Sequence, residues 1–268
     1  MKKEKIILVA IDFSKCSIKA LEYAICMANE MNANVLMVYV DKPQSTESVY
    51  SRRGSEYMEK INKLFEKILK KYHNQLKGKL DYKIRKGKVY VEISNQAKYS
   101  DVHLIVAGTH GVSGFEEFWI GSNAYKIVTS APCPVITIRE SFIWNQKHFK
   151  KIILPIDSTM ETRQKVKFTT ELAKYFNSEI HVLGVYSTNV KDVKNIVESY
   201  SKQALDYIEQ AGVKCERHFK LCENISEGAI EYAKENRAEL IAIMTDQEKS
   251  AKNIWLGPYA QQMVNHSP

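Results

Sequence analysis

Residues 5–14 read Lys5-Ile6-Ile7-Leu8-Val9-Ala10-Ile11-Asp12-Phe13-Ser14, and nearly the same run returns as Lys151-Ile152-Ile153-Leu154-Pro155-Ile156-Asp157-Ser158-Thr159. A continuous apolar run closed by an acid and hydroxyl residues suits a strand buried on both faces. Its recurrence points to a duplication, which governs the reading of the whole chain. Asp12 and Asp157 stand 145 residues apart. Leu104-Ile105 returns as Leu240-Ile241, Trp119-Ile120-Gly121 as Trp255-Leu256-Gly257, and Val128 as Val264, all at an offset of 136. The nine-residue difference fits a longer loop and helix in the first copy, around Pro43 to Gly54. Two domains follow, residues 1–143 and 146–268, a division of ordinary size for 268 residues.

Within one copy, strand and helix alternate. After the strand Ile6–Ile11, Ser14 or Ser17 can cap a helix whose Ile18, Leu21, Ala24, Ile25 and Ala28 fall at helical spacing. Val35–Val40 reads as a second strand. Met58, Ile61, Leu64, Phe65, Ile68, Leu69 and Tyr72 form an amphipathic stripe with lysines between them. Strands are expected at Leu80–Ile84, Leu104–Ala107 and Val135–Ile138, and helices at Val91–Tyr99 and Ser122–Thr129. This order predicts an α/β fold: two tandem doubly wound parallel sheets of five strands, with right-handed crossovers. Nothing in the second copy corresponds to Val135–Ile138, so its sheet is expected to lack the last strand unless the sequence is a piece of a longer one. Ligands of such sheets bind beyond the carboxyl ends of the strands, where strand order reverses. Asp12 and Gly108 both sit at such ends.

Composition narrows the function. Hydrophobic residues make up 44% and charged residues 26%, enough apolar material for two cores. Runs such as Ile6–Ile11 are far too short to cross a bilayer, and no apolar signal segment follows Met1-Lys2-Lys3. A cytoplasmic protein without membrane partners is expected. The five cysteines, Cys16, Cys26, Cys133, Cys215 and Cys222, are odd in number and show no Cys-x-x-Cys spacing, which argues against a disulfide framework or a cysteine zinc site. Of the net charge of +8, residues 1–143 carry 22 Lys/Arg against 15 Asp/Glu. Much of that excess interleaves with the apolar stripe between Lys60 and Lys88, so it reads as a solvated helix face rather than a nucleic-acid surface.

The fourth strand runs into Gly108-Thr109-His110-Gly111-Val112-Ser113-Gly114, and after Phe115 to Ile120 the chain continues Gly121-Ser122-Asn123-Ala124. Glycines let a backbone approach a ligand closely. Successive free N–H groups make an anion-binding concavity, and Gly121-Ser122 opens a helix whose first N–H groups are unpaired. Two donor clusters could hold a polyphosphate between them. The pattern is neither a Walker loop nor Gly-x-Gly-x-x-Gly.

Gly108-x-x-Gly111, nine residues, then Gly121-Ser122 resembles the ATP-binding signature of the universal stress protein family. Val9-Ala10-Ile11-Asp12-Phe13-Ser14 and Ala131-Pro132-Cys133-Pro134-Val135 resemble it too, and the likeness covers both copies. The resemblance implies an adenine-nucleotide α-hydrolase-like sheet and ATP, with Mg²⁺ as its companion ion, as the cofactor. It implies that Asp12 lies on the adenine and ribose side and Val40 beside the adenine. Ala107, Gly108 and Gly111 would line the ribose–phosphate path, and Gly121, Ser122 and Asn123 would hold the phosphates. Ala10 stands in the same site, where many ATP-binding members have proline.

The second copy departs from the pattern. Met244, Gln247 and Ser250 replace the three loop glycines, Asp246 puts an acid where His110 lies, and Pro258 replaces Ser122, losing a hydroxyl and a backbone donor. This half is expected not to bind ATP in the same mode. His110, Glu116 and Glu117 read as loop residues, and Trp119 and Trp255 as packing, since they recur in both halves. Cys133 has no resolving partner in sight. Two function classes stand side by side: a stress-response binding module whose ATP occupancy tunes contacts with other proteins, and a slow ATPase or nucleotidyl-transfer enzyme. A scaffold without nucleotide is the third. Protein partners, and whether the chain forms a homodimer, are left open.

Overall fold

The computed structural model describes residues 4–41, 52–110, 120–142, 149–245, 260 and 262–264. Those up to Ser141 form one compact unit and those from Phe142 onward a second.

The first unit runs β1 (Lys5–Ile11), α1 (Lys15–Met31), β2 (Ala33–Asp41), α2 (Arg52–Tyr72), β3 (Leu80–Lys86), α3 (Val89–Tyr99), β4 (Leu104–Gly108), α4 (Ser122–Ser130) and β5 (Val135–Ile138). Its sheet is parallel throughout, in the order β3-β2-β1-β4-β5. The order reverses between β1 and β4, so their carboxyl ends, at Asp12 and Gly108, flank the switch point. The apolar runs are continuous because helices cover both faces. Leu8, Val38, Val40 and Ile105 pack against Ile93 and Ala97 of α3 and Ile127 of α4. On α1 the stripe Ala20, Leu21, Ala24, Met27, Ala28 and Met31 is buried.

The second unit runs β6 (Lys151–Ile156), α5 (Lys165–Phe176), β7 (Glu179–Tyr186), α6 (Lys191–Gln210), β8 (Cys215–Leu221), α7 (Ile225–Glu235) and β9 (Leu240–Ile241). Its parallel sheet has four strands among the described residues, in the order β8-β7-β6-β9, with no counterpart of β5 among them, in line with the sequence expectation. The duplication shows in the fine structure. α1 and α5 end on left-handed asparagines, Asn32 at φ 50° and Asn177 at φ 51°, each donating its N–H to an alanine carbonyl four residues back. Ala260, Met263 and Val264 are buried as Ala124, Ile127 and Val128 are.

Pairing corrects the alignment in one place. Ile7 lies opposite Leu104, and Ile152 lies opposite Leu240. The equivalence across β1 and β6 is therefore a gap-free 145 residues, not the one-residue-shifted match that the shared Lys-Ile-Ile-Leu suggests. Pro155 is the counterpart of Ala10. Much of the length difference lies between the second strand and its helix, where residues 42–51 stand against residues 187–190. No helix among the described residues is long and apolar enough to cross a membrane.

Candidate functional site

The carboxyl end of β1 is pinned by its own side chains. Asp12 Oδ1 accepts the Ser14 N–H at 3.0 Å and the Ser14 hydroxyl at 2.6 Å, which closes an Asx turn. Ser14 caps α1, its Oγ accepting the Ser17 N–H at 3.2 Å. Between them Phe13 is held at φ 63°, a region a bulky residue occupies at a cost of about 1–3 kcal/mol. Ring contacts hold it there, with centroids 5.3 Å from Tyr39 and 5.0 Å from Phe65. Tyr39 donates or accepts a 2.6 Å hydrogen bond with Tyr57. Burial, this bond and the nearby charges of Asp41 and Asp12 push its phenol well above the usual range, so it is neutral at all ordinary pH.

The two glycine turns meet. The Thr109 N–H donates to the Ile138 carbonyl at 2.9 Å, and the Thr109 carbonyl accepts the Gly121 N–H at 2.7 Å. This second bond ties the start of α4 back onto the end of β4. Gly121 is the N-cap of α4, and a Cβ there would come within 3.1 Å of the Thr109 carbonyl oxygen. The next three N–H groups, of Ser122, Asn123 and Ala124, meet no acceptor among the described residues, as expected for a helix first turn. Ser122 and Asn123 are exposed. His110 is tied down through its Nδ1, 2.8 Å from the buried Thr109 hydroxyl.

Gly108 has a packing reason to be glycine. A Cβ would lie 2.8 Å from Cys16 Sγ and 3.1 Å from the Cys16 backbone, so α1 seats directly on the end of β4. Ala107 is fully buried, and Val40 lies in the core under α3 and α4 with the half-buried Ala10 packed against the same cluster. Asp12, Gly108, Gly121, Ser122 and Asn123 thus ring the switch-point end of the sheet. Gly111 lies outside the described residues, as do Glu116, Glu117 and Trp119. The same unit has a cleft of about 580 Å³ lined by β3 and α3 residues including Arg85 and Tyr99, and one of about 450 Å³ that starts at Phe13 of the Asp12–Ser14 turn and runs along α1 past Lys19 to Glu140.

The second unit repeats the strand-end turn. Asp157 Oδ1 accepts the Thr159 N–H at 2.8 Å and its hydroxyl at 2.5 Å. Met244 occupies the place of Gly108; Asp246, Gln247, Ser250, Trp255, Gly257 and Pro258 lie outside the described residues. One group of side chains in this unit escapes sequence reasoning: His181, Glu216 and His218, on adjacent strands and 35 residues apart at the nearest. The available signals were a histidine inside the apolar run of β7 and Glu-x-His at strand spacing on β8.

Comparison with known proteins agrees with the duplicated architecture. The sequence model described as the universal stress protein family matches residues 4–139 and 148–268. Universal stress protein YxiE of Bacillus subtilis is 31% identical over 144 residues, which are 49% of this chain and 97% of that protein. A universal stress protein of Methanocaldococcus jannaschii is 27% identical over 148 residues, 51% of this chain and 82% of its own. Among solved structures, a universal stress protein from Archaeoglobus fulgidus superposes with a TM-score of 0.78, covering 98% of this chain and 95% of its own, at 17% identity. That likeness is one of fold.

Proposed function

The chain belongs to the universal stress protein family, and from that premise we propose that its amino-terminal domain, residues 1–143, binds ATP and acts as a nucleotide-dependent regulatory module of the stress response. The observation that carries the reading is the Gly121 N–H bond to the Thr109 carbonyl at 2.7 Å. It brings the open first turn of α4 against the end of β4, in the crevice beside the end of β1. Three backbone N–H groups, the Ser122 hydroxyl and the Asn123 amide make a donor set for an anion, reinforced by the positive end of the helix. The Asp12 carboxylate, an acceptor, suits ribose hydroxyls on the other side of the crevice. Ala10 and Val40 supply apolar surface for the base. The donor set fits the triphosphate, and the Mg²⁺ that accompanies ATP would be held chiefly through the phosphates.

The second copy suggests the decisive substitution. Pro258 stands where Ser122 does. Proline is at home at the first helical position but has no N–H, so Ser122→Pro keeps α4 and removes two donors. Isothermal titration of the full chain with ATP should show affinity falling at least about 10-fold, the worth of one charge-assisted hydrogen bond. Unchanged affinity in a folded Ser122→Pro protein would refute the reading.

A further inference from the structure

β7 of the second unit carries a histidine where the fold asks for an aliphatic side chain. His181 takes the position of Leu36 in the first unit and is 3% exposed. Its Nδ1 lies 2.9 Å from the Tyr232 hydroxyl on α7. Its Nε2 faces carboxylate oxygens of Glu179 and Glu216, each at 4.0 Å, too far for hydrogen bonds. His181 pairs with Glu216 across the ladder, and His218, two residues further, shares that face. His218 Nε2 is 3.2 Å from the same Glu216 oxygen. One donor atom from each of His181, Glu216 and His218 lies within 4.8 Å of the others.

The Nε2 of a side chain that is 3% exposed thus lies beside a carboxylate and a second imidazole. Around a tetrahedral ion with bonds of about 2.0–2.1 Å, donor atoms stand about 3.4 Å apart and two imidazole centres about 5 Å apart. The spacings here are 3.2 and 4.0 Å, and the ring centres are 5.0 Å apart. The ring planes are only 28° apart, so His218, whose side chain is 38% exposed, turns about its side-chain bonds to bring its lone pair onto the ion. We propose that His181, Glu216 and His218 form a site for a borderline divalent transition ion of the Zn²⁺ type, with water in the fourth position. Two imidazoles and a carboxylate are the donors such ions select. Tyr232 is the outer partner that fixes the ring: with Nδ1–H donating to its hydroxyl, Nε2 presents its lone pair. Glu179, held by Lys214 at 3.1 Å, adds negative charge 4.0 Å from His181 Nε2. The ion ties the edge strand β8 to β7 and, through Tyr232, to α7. The first unit lacks the set at the equivalent positions, where Leu36, Asp81, Lys83 and Gln96 stand.

The test is titration of the full chain with zinc chloride, alongside the visible absorption of tetrahedral cobalt with cobalt chloride. Wild type should take up an ion that His181→Leu and His218→Ala each lose, with the cobalt band vanishing in both. Tyr232→Phe should weaken binding about 10-fold or more. Zinc should raise the unfolding temperature of wild type and leave that of His181→Leu unmoved. His181→Leu carries the first unit's own residue. His218, whose side chain is 38% exposed, can be truncated without opening the core, so the pair separates loss of ligands from loss of fold. Binding that persists undiminished in both histidine variants would place the ion on other histidines or thiols and overturn the proposal, as would no binding by wild type.

Discussion

Phe13 holds a left-handed backbone at φ 63°, and Ser158, at the same place in the second copy, does not. The other left-handed non-glycine residues among those described come in equivalent pairs: Asn32 with Asn177, and Asp101 with Arg237. Those pairs are demands of the fold. Phe13 is strain that the fold does not require, and it sits beside Asp12 at the switch point, where unusual backbone has a use. Cys133 shows the opposite logic. Burial, with a smaller push from the Asp101 charge, raises its thiol to about 12, so it is no redox centre at neutral pH. The folded value lies above the unfolded one, so this thiol's contribution to stability is intact below about pH 9 and fades as pH climbs from there toward 12. At pH 8 its alkylation by iodoacetamide should run about 100- to 1,000-fold slower in the native chain than in urea. Peptide mapping by mass spectrometry reads this directly; equal rates in both states would contradict the burial argument.

At the scale of elements, the Asx turn after the first strand belongs to the repeat and not to the ligand. Asp12 and Asp157 accept the same pair of donors two residues on, Ser14 in one unit and Thr159 in the other. Asp12→Ala should cost about 1 kcal/mol, the ordinary worth of a helix-entry cap; Asp157→Ala should cost less, because its turn leads into a short 3-10 turn at Glu161–Arg163 and α5 starts only after Gln164. Hydrogen exchange should show the loss in α1 for the first variant, and for the second in the Asp157–Arg163 segment ahead of α5, with α5 itself little changed. Unchanged protection of α1 in Asp12→Ala would leave the carboxylate with a ligand role and no structural one. The elements themselves were legible because their periods are unambiguous. The stripe Ile61, Phe65, Ile68 and Tyr72 is buried on α2, and the four apolar runs of the first copy together with the alternating Leu80–Ile84 are its five strands. Boundaries were less so. β2 starts at Ala33 rather than Val35 because left-handed Asn32 turns the chain straight from helix into strand. The candidate site was legible as glycine spacing. Which amides stay open, and that Gly108 makes room for Cys16, needed coordinates, because both depend on how α1 and α4 seat on β4. The His181 cluster was hidden for a similar reason: cross-strand register brings it together, and no short motif encodes register.

At the scale of the whole chain, duplication lets each half serve as the control for the other. Both keep the doubly wound parallel sheet, the Asx turn and the left-handed caps. They differ at the loop after the fourth strand, where Gly108 gives way to Met244 and Ser122 to Pro258, and in charge, since residues 1–143 hold most of the net +8. A methionine at the strand end places a long side chain where the first unit has none, and a proline removes the leading donor of the next helix. An acid in the place of His110 repels phosphate besides. If the first-turn amides of α4 carry the affinity, the chain saturates at one ATP and not two. Equilibrium dialysis or calorimetry of the full protein should return a stoichiometry near one. ATP at about 100 times its dissociation constant should stabilise the unit that binds it by about 2.7 kcal/mol. Hydrogen exchange would assign that gain: protection should rise in β1, β4 and α4 and stay level in β6, β7 and α5. Two equivalent sites, or a gain spread evenly over both units, would mean that the altered loop of the second copy still binds, and that the open amides after Gly121 are not what sets the affinity.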